Sequence, residues 1–336
     1  YPGARCDVES LEYSYSFDEE LQQEWEWTER YSSQPEILAY ANHVADRFSL
    51  RESIQFETRV EAAKFDEDDN VWSVRTSDGQ TTVCRFFVMA TGCLSSTSLP
   101  TFDGIEDFGG TTVHTGQWPK EGVVLKGKRV GVVGTGSSAV QAIPVIAEEC
   151  DELIVFQRTA QYTIPARNAP LDPSTQADIK SRYSDFRDAN FAMPQALGAE
   201  IPKFNDSIHD VSDAERERRF ENAWERGGTL FMTSFNDVLV DESANVYAQD
   251  FVRQKISETV NDPAIAAKLT PHHIIGCKRL VIDTDYFETF NRSNVSLVDV
   301  SDDPIEKITT NGLLTQTAEF ELDVLIFATG FDAMTG

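Results

Sequence analysis

Gly134-x-Gly136-x-x-Ala139 is the spacing with the clearest chemical use in this 336-residue chain. Alone it is a weak signal, but its setting strengthens it. A buried-strand pattern, Lys128-Arg-Val-Gly-Val-Val-Gly134, runs into it, a helical pattern from about Ser137 to Glu148 follows, and a second strand, Leu153–Phe156, lies beyond. In a strand–loop–helix of this kind Gly134 permits a tight turn and Gly136 lets a pyrophosphate approach the backbone. Ala139 is small enough for helix–strand packing, and the helix N-terminus attracts phosphate. The loop and the start of the helix, Gly134, Thr135, Gly136, Ser137, Ser138, Ala139, Val140 and Gln141, are therefore expected to hold a dinucleotide. At the end of the second strand, where an acid would take a ribose 2′-hydroxyl, stand Arg158 and Thr159. A guanidinium pairs with a 2′-phosphate, so the expected cofactor is NADPH.

Composition narrows the field. With 29 basic against 56 acidic residues the formal charge is −27, which repels nucleic-acid phosphates and argues against such a partner. Salt adaptation of the source and simple acidic drift both account for the excess, and the two readings stay open. No run of 18 apolar residues and no basic-then-apolar leader occurs, so no membrane partner is expected. Five scattered cysteines, Cys6, Cys84, Cys93, Cys150 and Cys277, form no CxxC pair. That pattern fits a reducing cytoplasm and supports neither a zinc knuckle nor a redox-active disulfide. The histidines form no metal-spaced cluster, so no metal is expected.

The elements that position the motif follow from periodicity. A helix is expected from about Pro35 to Phe48, with Ser33 and Glu36 in a capping-box pattern. Three strands of a β-meander are expected at about Thr58–Phe65, Val71–Thr76 and Thr81–Met89, ending in Phe87-Val-Met-Ala-Thr-Gly92. The region from Asp172 to Ala266 is mostly helical in pattern, and a strand-rich stretch after Asn291 closes in Leu325-Ile-Phe-Ala-Thr-Gly330. The matched endings suggest an internal repeat, hence an α/β fold of two Rossmann-like dinucleotide-binding domains. Only the second has its glycine loop, so the first is expected to be incomplete, with its own loop upstream of Tyr1. The expected domains are residues 1–93, a partial dinucleotide-binding domain (the FAD domain by the resemblance given next); 94–331, an NADP-binding domain with a helical insert; and 332–336, the return to the first.

Phe108-x-Gly110-x-x-x-His114-x-x-x-Trp118-Pro119 precedes the glycine loop. With it the chain resembles the type I Baeyer–Villiger flavoprotein monooxygenases, whose signature is FxGxxxHxxxW followed by Pro or Asp. The resemblance extends through the opening YPGARCD, VFQRT at Val155–Thr159, PARNAPLDP at Pro165–Pro173, GCKRLVIDTDYFETFNRSNV at Gly276–Val295 and IFATGFDAMTG at the end. It implies FAD and NADPH as cofactors, and a ketone and O2 as substrates, the ketone becoming an ester or lactone. Relatives that oxidise amines and sulfides usually carry Tyr or Phe where Trp118 stands, which sets the heteroatom alternative second; a non-catalytic NADP-binding fragment is a third reading. Oligomeric state stays open.

The same resemblance assigns residue roles. By type alone Lys278-Arg279 reads as a solvated surface pair. Within the matched segment Arg279 takes the place of the catalytic arginine, a fixed cation where negative charge develops beside the flavin. Asp7 matches the aspartate that orients it, with Arg5 and Cys6 flanking near the nicotinamide cofactor. Lys278 joins Arg158 on the 2′-phosphate, Tyr13 matches a flavin-contacting tyrosine, and Val60 a residue near the adenine of FAD. The family's first glycine loop and the part that follows Gly336 are not represented in the sequence. The polypeptide is expected to hold a complete NADP domain and a broken FAD domain, and to be inactive by itself.

Overall fold

The computed structural model describes residues 1–333; of the expected return segment, 334–336 lie outside the described residues. Two short helices, α1 (Ser10–Tyr13) and α2 (Glu19–Glu24), precede α3 (Gln34–Arg47), which falls where its apolar spacing requires. The capping box is a correction. Glu36 Oε1 accepts the Thr28 amide at 2.7 Å instead of the Ser33 amide, because the chain doubles back before the helix.

The strands β1 (Val60–Asp66), β2 (Val71–Thr76) and β3 (Thr81–Cys84) form the expected antiparallel meander, paired in sequence order. The third strand stops five residues short of expectation. Phe86, Val88 and Met89 are exposed, and among the described residues no ladder pairs them.

A parallel sheet begins with β4 (Thr111–His114) and β5 (Arg129–Val133). Helix α4 (Ser137–Glu149) crosses to β6 (Glu152–Gln157), and β7 (Thr163–Pro165) follows. The helical insert comprises α5 (Pro173–Ser181), α6 (Tyr183–Phe191), α7 (Asp213–Arg226), α8 (Glu242–Thr259) and α9 (Pro263–Leu269). Then come β8 (Val281–Asp283), α10 (Tyr286–Thr289) and β9 (Val295–Asp299). An antiparallel sheet of β10 (Ile305–Thr309), β11 (Gly312–Thr315) and β12 (Glu319–Glu321) precedes the last strand, β13 (Val324–Phe327).

The main sheet has the order β4-β13-β5-β6-β9, all parallel. Its inner strands β13, β5 and β6 are buried on both faces, which explains their continuous apolar runs. Alternate residues go opposite ways: Val130, Val132, Leu153, Val155, Val324 and Ile326 join a core with α4 and the insert. Val133, Ile154, Phe156, Leu325 and Phe327 join a second core with Ile308, Leu313 and Leu322 from the antiparallel sheet and the turn after it. The fold is therefore α/β with a parallel sheet, and β5, which is followed in sequence by β6 on one side and flanked by the late strand β13 on the other, marks the point where strand order reverses. Ligands of such sheets bind beyond the carboxyl ends at that point.

By packing, the chain divides into two compact units, residues 1–37 with 97–331, and residues 38–96 with the final stretch from Asp332. Residues 1–37, placed by sequence with the first nucleotide domain, thus pack within the larger unit.

Candidate active site

The glycine loop joins β5 to α4 at the reversal point. Gly134 has φ +109°, and a Cβ there would lie 2.6 Å from the Ala328 carbonyl at the end of β13, so only glycine fits. Gly136 is different: nothing stands within 4 Å of its would-be Cβ. It is the N-cap of α4 with no side chain capping the helix, so the first-turn amides of Ser137, Ser138 and Ala139 lack a side-chain acceptor at the cap. Open space over uncapped amides is the arrangement a pyrophosphate needs. Thr135 is buried and braces the loop by donating to the Thr159 carbonyl at 2.9 Å. Ala139 and Val140 put their side chains into the core. Gln141 is occupied with the chain's opening segment: its Nε2 donates to the Arg5 carbonyl at 2.9 Å, and its Oε1 accepts from the Tyr1 hydroxyl at 2.8 Å.

Past β6, Arg158 and Thr159 line a cleft of about 410 Å³ with Gln157, Lys268, His272, His273 and Asp299. The Arg158 side chain makes no hydrogen bond or ion pair among the described residues. Lys278 is exposed, and its charge, after burial, pulls down the basicity of His273, a residue of that cleft. Cations outnumber the one carboxylate, so the cleft fits a phosphate.

Arg279 Nη2 lies 2.7 Å from Asp7 Oδ2, joining segments from opposite ends of the sequence. The arginine side chain is 72% exposed and the aspartate 30%, so the guanidinium keeps an open face. Cys6 hydrogen-bonds its backbone to Ser32, and burial pushes its thiol pKa up. The Tyr13 phenol is raised by burial and then by Cys6 and nearby groups, which sets it beside this cluster although half its surface is open. Arg5 turns away, onto Glu29 and the Tyr31 carbonyl. Val60 belongs to the smaller unit, at the start of β1 with its side chain exposed.

The signature segment has a structural explanation. His114 ends β4 and is buried, and burial keeps its imidazole neutral by lowering its pKa. Nδ1 accepts the Gly116 amide at 3.0 Å. The proton therefore sits on Nε2 and points at Thr329 Oγ1, 3.3 Å away, whose own hydroxyl donates to the Ser98 carbonyl. Gly110 is required because a Cβ would lie 2.4 Å from the Asp323 carbonyl. Trp118 packs on the main core and Phe108 on the second. Sequence reasoning missed Glu29, Thr329 and the clamp by Gln141, since their partners lie 24, 215 and 136 residues away and no local spacing signals a partner at such a distance.

The parallel sheet, the reversal-point glycine loop and the cationic cleft are the parts of a dinucleotide-binding fold. A family model for pyridine nucleotide-disulphide oxidoreductases matches residues 10–217, more than half of the chain, and the chain belongs to that family. All five cysteines are free thiols. A Baeyer–Villiger monooxygenase from Pseudooceanicola batsensis is 44% identical over the whole chain, and a phenazine N-monooxygenase from Lysobacter antibioticus 43%. The chain spans 62% of the length of each. Among solved structures, an oxidised steroid monooxygenase bound to NADP superimposes with a TM-score of 0.96 at 50% identity, over the whole chain and 64% of that structure. Baeyer–Villiger monooxygenases are thus homologues of this chain.

Proposed function

We propose that the whole protein is an NADPH- and FAD-dependent monooxygenase that converts a ketone to an ester or lactone. The observation that carries this reading is the Arg279–Asp7 ion pair at 2.7 Å, formed by the two segments that resemble the family's catalytic ones. When bound, NADPH supplies reducing equivalents and FAD the activation of O2. The chain's own residues do the rest. The uncapped amides at Ser137–Ala139 receive the pyrophosphate of NADPH, while Arg158 and Lys278 hold its 2′-phosphate. Among the described residues Asp7, Tyr13 and Arg279 are the candidates to face a flavin, and Val60 is carried over from the resemblance alone. Arg279 holds the negative charge that grows on the ketone oxygen, and Asp7 fixes the guanidinium without neutralising its open face. A preset cation of this kind acts without reorganisation at the moment of reaction.

The test is product analysis with a simple aryl ketone, alongside stopped-flow reduction of the flavin by NADPH, in the whole protein. Arg279→Ala is expected to lose ester formation by about 10²–10³-fold while flavin reduction stays measurable. Asp7→Ala is expected to be impaired in the same step but less. Unchanged ester yield from Arg279→Ala would refute the assignment.

A second reading, oxygenation of a ring nitrogen, is favoured by one observation, the 43% identity to the phenazine N-monooxygenase. Competing an aryl ketone against phenazine separates the two. Trp118, at the position where heteroatom oxygenases usually carry Tyr or Phe, supports the ketone.

A further inference from the structure

Arg226 ends α7, and its guanidinium has no hydrogen bond or ion pair among the described residues. Its Nε is buried without an acceptor, and only its carbonyl is used, taking a hydrogen bond from Arg30 Nη1 at 2.6 Å. Burial, then the like charge of Arg30, pulls its basicity down. Arg30 is itself paired with Glu9, whose charge offsets part of that repulsion, but Arg226 makes no ion pair of its own among the described residues, and a partly buried cation without one is costly. The other arginines of the same helix show the usual outcome. Arg218 and Arg219 are both held by Glu215, and Arg219 also by Asp206.

Arg219, Asn222 and Arg226 fall on one face of α7 at helical spacing. That face borders a cavity of about 330 Å³, which Arg218 and Thr233 also line and no carboxylate enters. The Thr233 and Ser234 hydroxyl protons are already given to the Leu230 and Phe231 carbonyls. Arg218 uses Nε and Nη2 on Glu215, leaving Nη1. The donors left to the cavity are thus Arg226, Arg218 Nη1 and the Asn222 amide, all suited to an oxyanion.

We propose that this cavity is an oxyanion site that takes a carboxylate or phosphate group of a small molecule on Arg226. It does not depend on the proposed oxygenation. Calorimetric titration with inorganic phosphate and with acetate, at constant ionic strength and with NADPH saturating so that the Arg158 cleft is filled, tests it. Saturable binding of either anion is expected, weakened about tenfold or more in Arg226→Gln and less in Arg226→Lys. Preference for phosphate assigns a phosphoryl ligand, and preference for acetate a carboxylate. Unliganded Arg226→Gln is expected to melt no lower than the unmodified chain, because the charge it removes has no partner. Absence of saturable binding, equal binding in Arg226→Gln, or a marked fall in its unliganded melting temperature would each overturn the proposal.

Discussion

The role proposed for Arg158 depends little on the packing of its own side chain. The residue follows directly on β6, its carbonyl accepts the Ser301 hydroxyl at 2.8 Å, and its guanidinium is left to solvent. A charge-assisted contact contributes about 1.5–3 kcal/mol, so Arg158→Ala is expected to remove much of the preference for NADPH over NADH. Fluorescence titration of both cofactors measures it; equal affinities in the unmodified chain would end the NADPH reading. The residue was readable from sequence because its place, the end of the second strand after a glycine loop, is a local position. Arg279 and Asp7 were not readable that way. A Lys-Arg pair carries no signal of its own, and only the resemblance singled it out before the ion pair was seen.

Elements convert such positions into geometry. The two loop glycines predict opposite phenotypes. Gly134→Ala sets a Cβ against the Ala328 carbonyl at positive φ, and is expected to destabilise the fold by about 1–3 kcal/mol. Gly136→Ala meets nothing and has an extended backbone, φ −79° and ψ −174°, so melting is expected to stay unchanged while NADPH affinity falls. Thermal melts with and without NADPH distinguish them. The β8–α10 connection carries a second device. Asp283 is fully buried, accepts from the Thr163 hydroxyl and the Tyr286 amide, and burial raises its pKa to about 6 despite those bonds. An acid raised on folding contributes stability below its unfolded value of about 3.9, and that contribution is lost as pH rises through about 6. Asp283→Asn is expected to gain melting temperature relative to the unmodified chain as pH rises from about 4 to about 6, and to hold that gain above it. A constant difference across that range would contradict this.

At the scale of the whole molecule, charge and topology matter most. With a formal charge of −27, self-repulsion opposes the compact state, so adding NaCl from about 20 to 300 mM, which shortens the screening length from about 20 to 6 Å, is expected to raise the melting temperature. A flat or falling profile would show that local ion pairs outweigh the overall field. The sequence by itself determined whatever depends on neighbours along the chain. The β5–loop–α4–β6 unit, the meander, helix α3 and the cationic end of β6 all follow from periodicity and glycine spacing, which act within a few residues. Tertiary structure alone decided the rest. Val88–Gly92 and Leu325–Gly330 read alike, yet the second supplies most of a central strand, buried between β4 and β5, and the first stays exposed. A strand exists only when partners take its backbone hydrogen bonds, and those partners are chosen in space. The clamp of Gln141 on the opening segment, the neutral His114 aimed at Thr329 and the uncompensated Arg226 have the same origin. Each depends on which distant groups share a low-dielectric environment, and no local spacing encodes that.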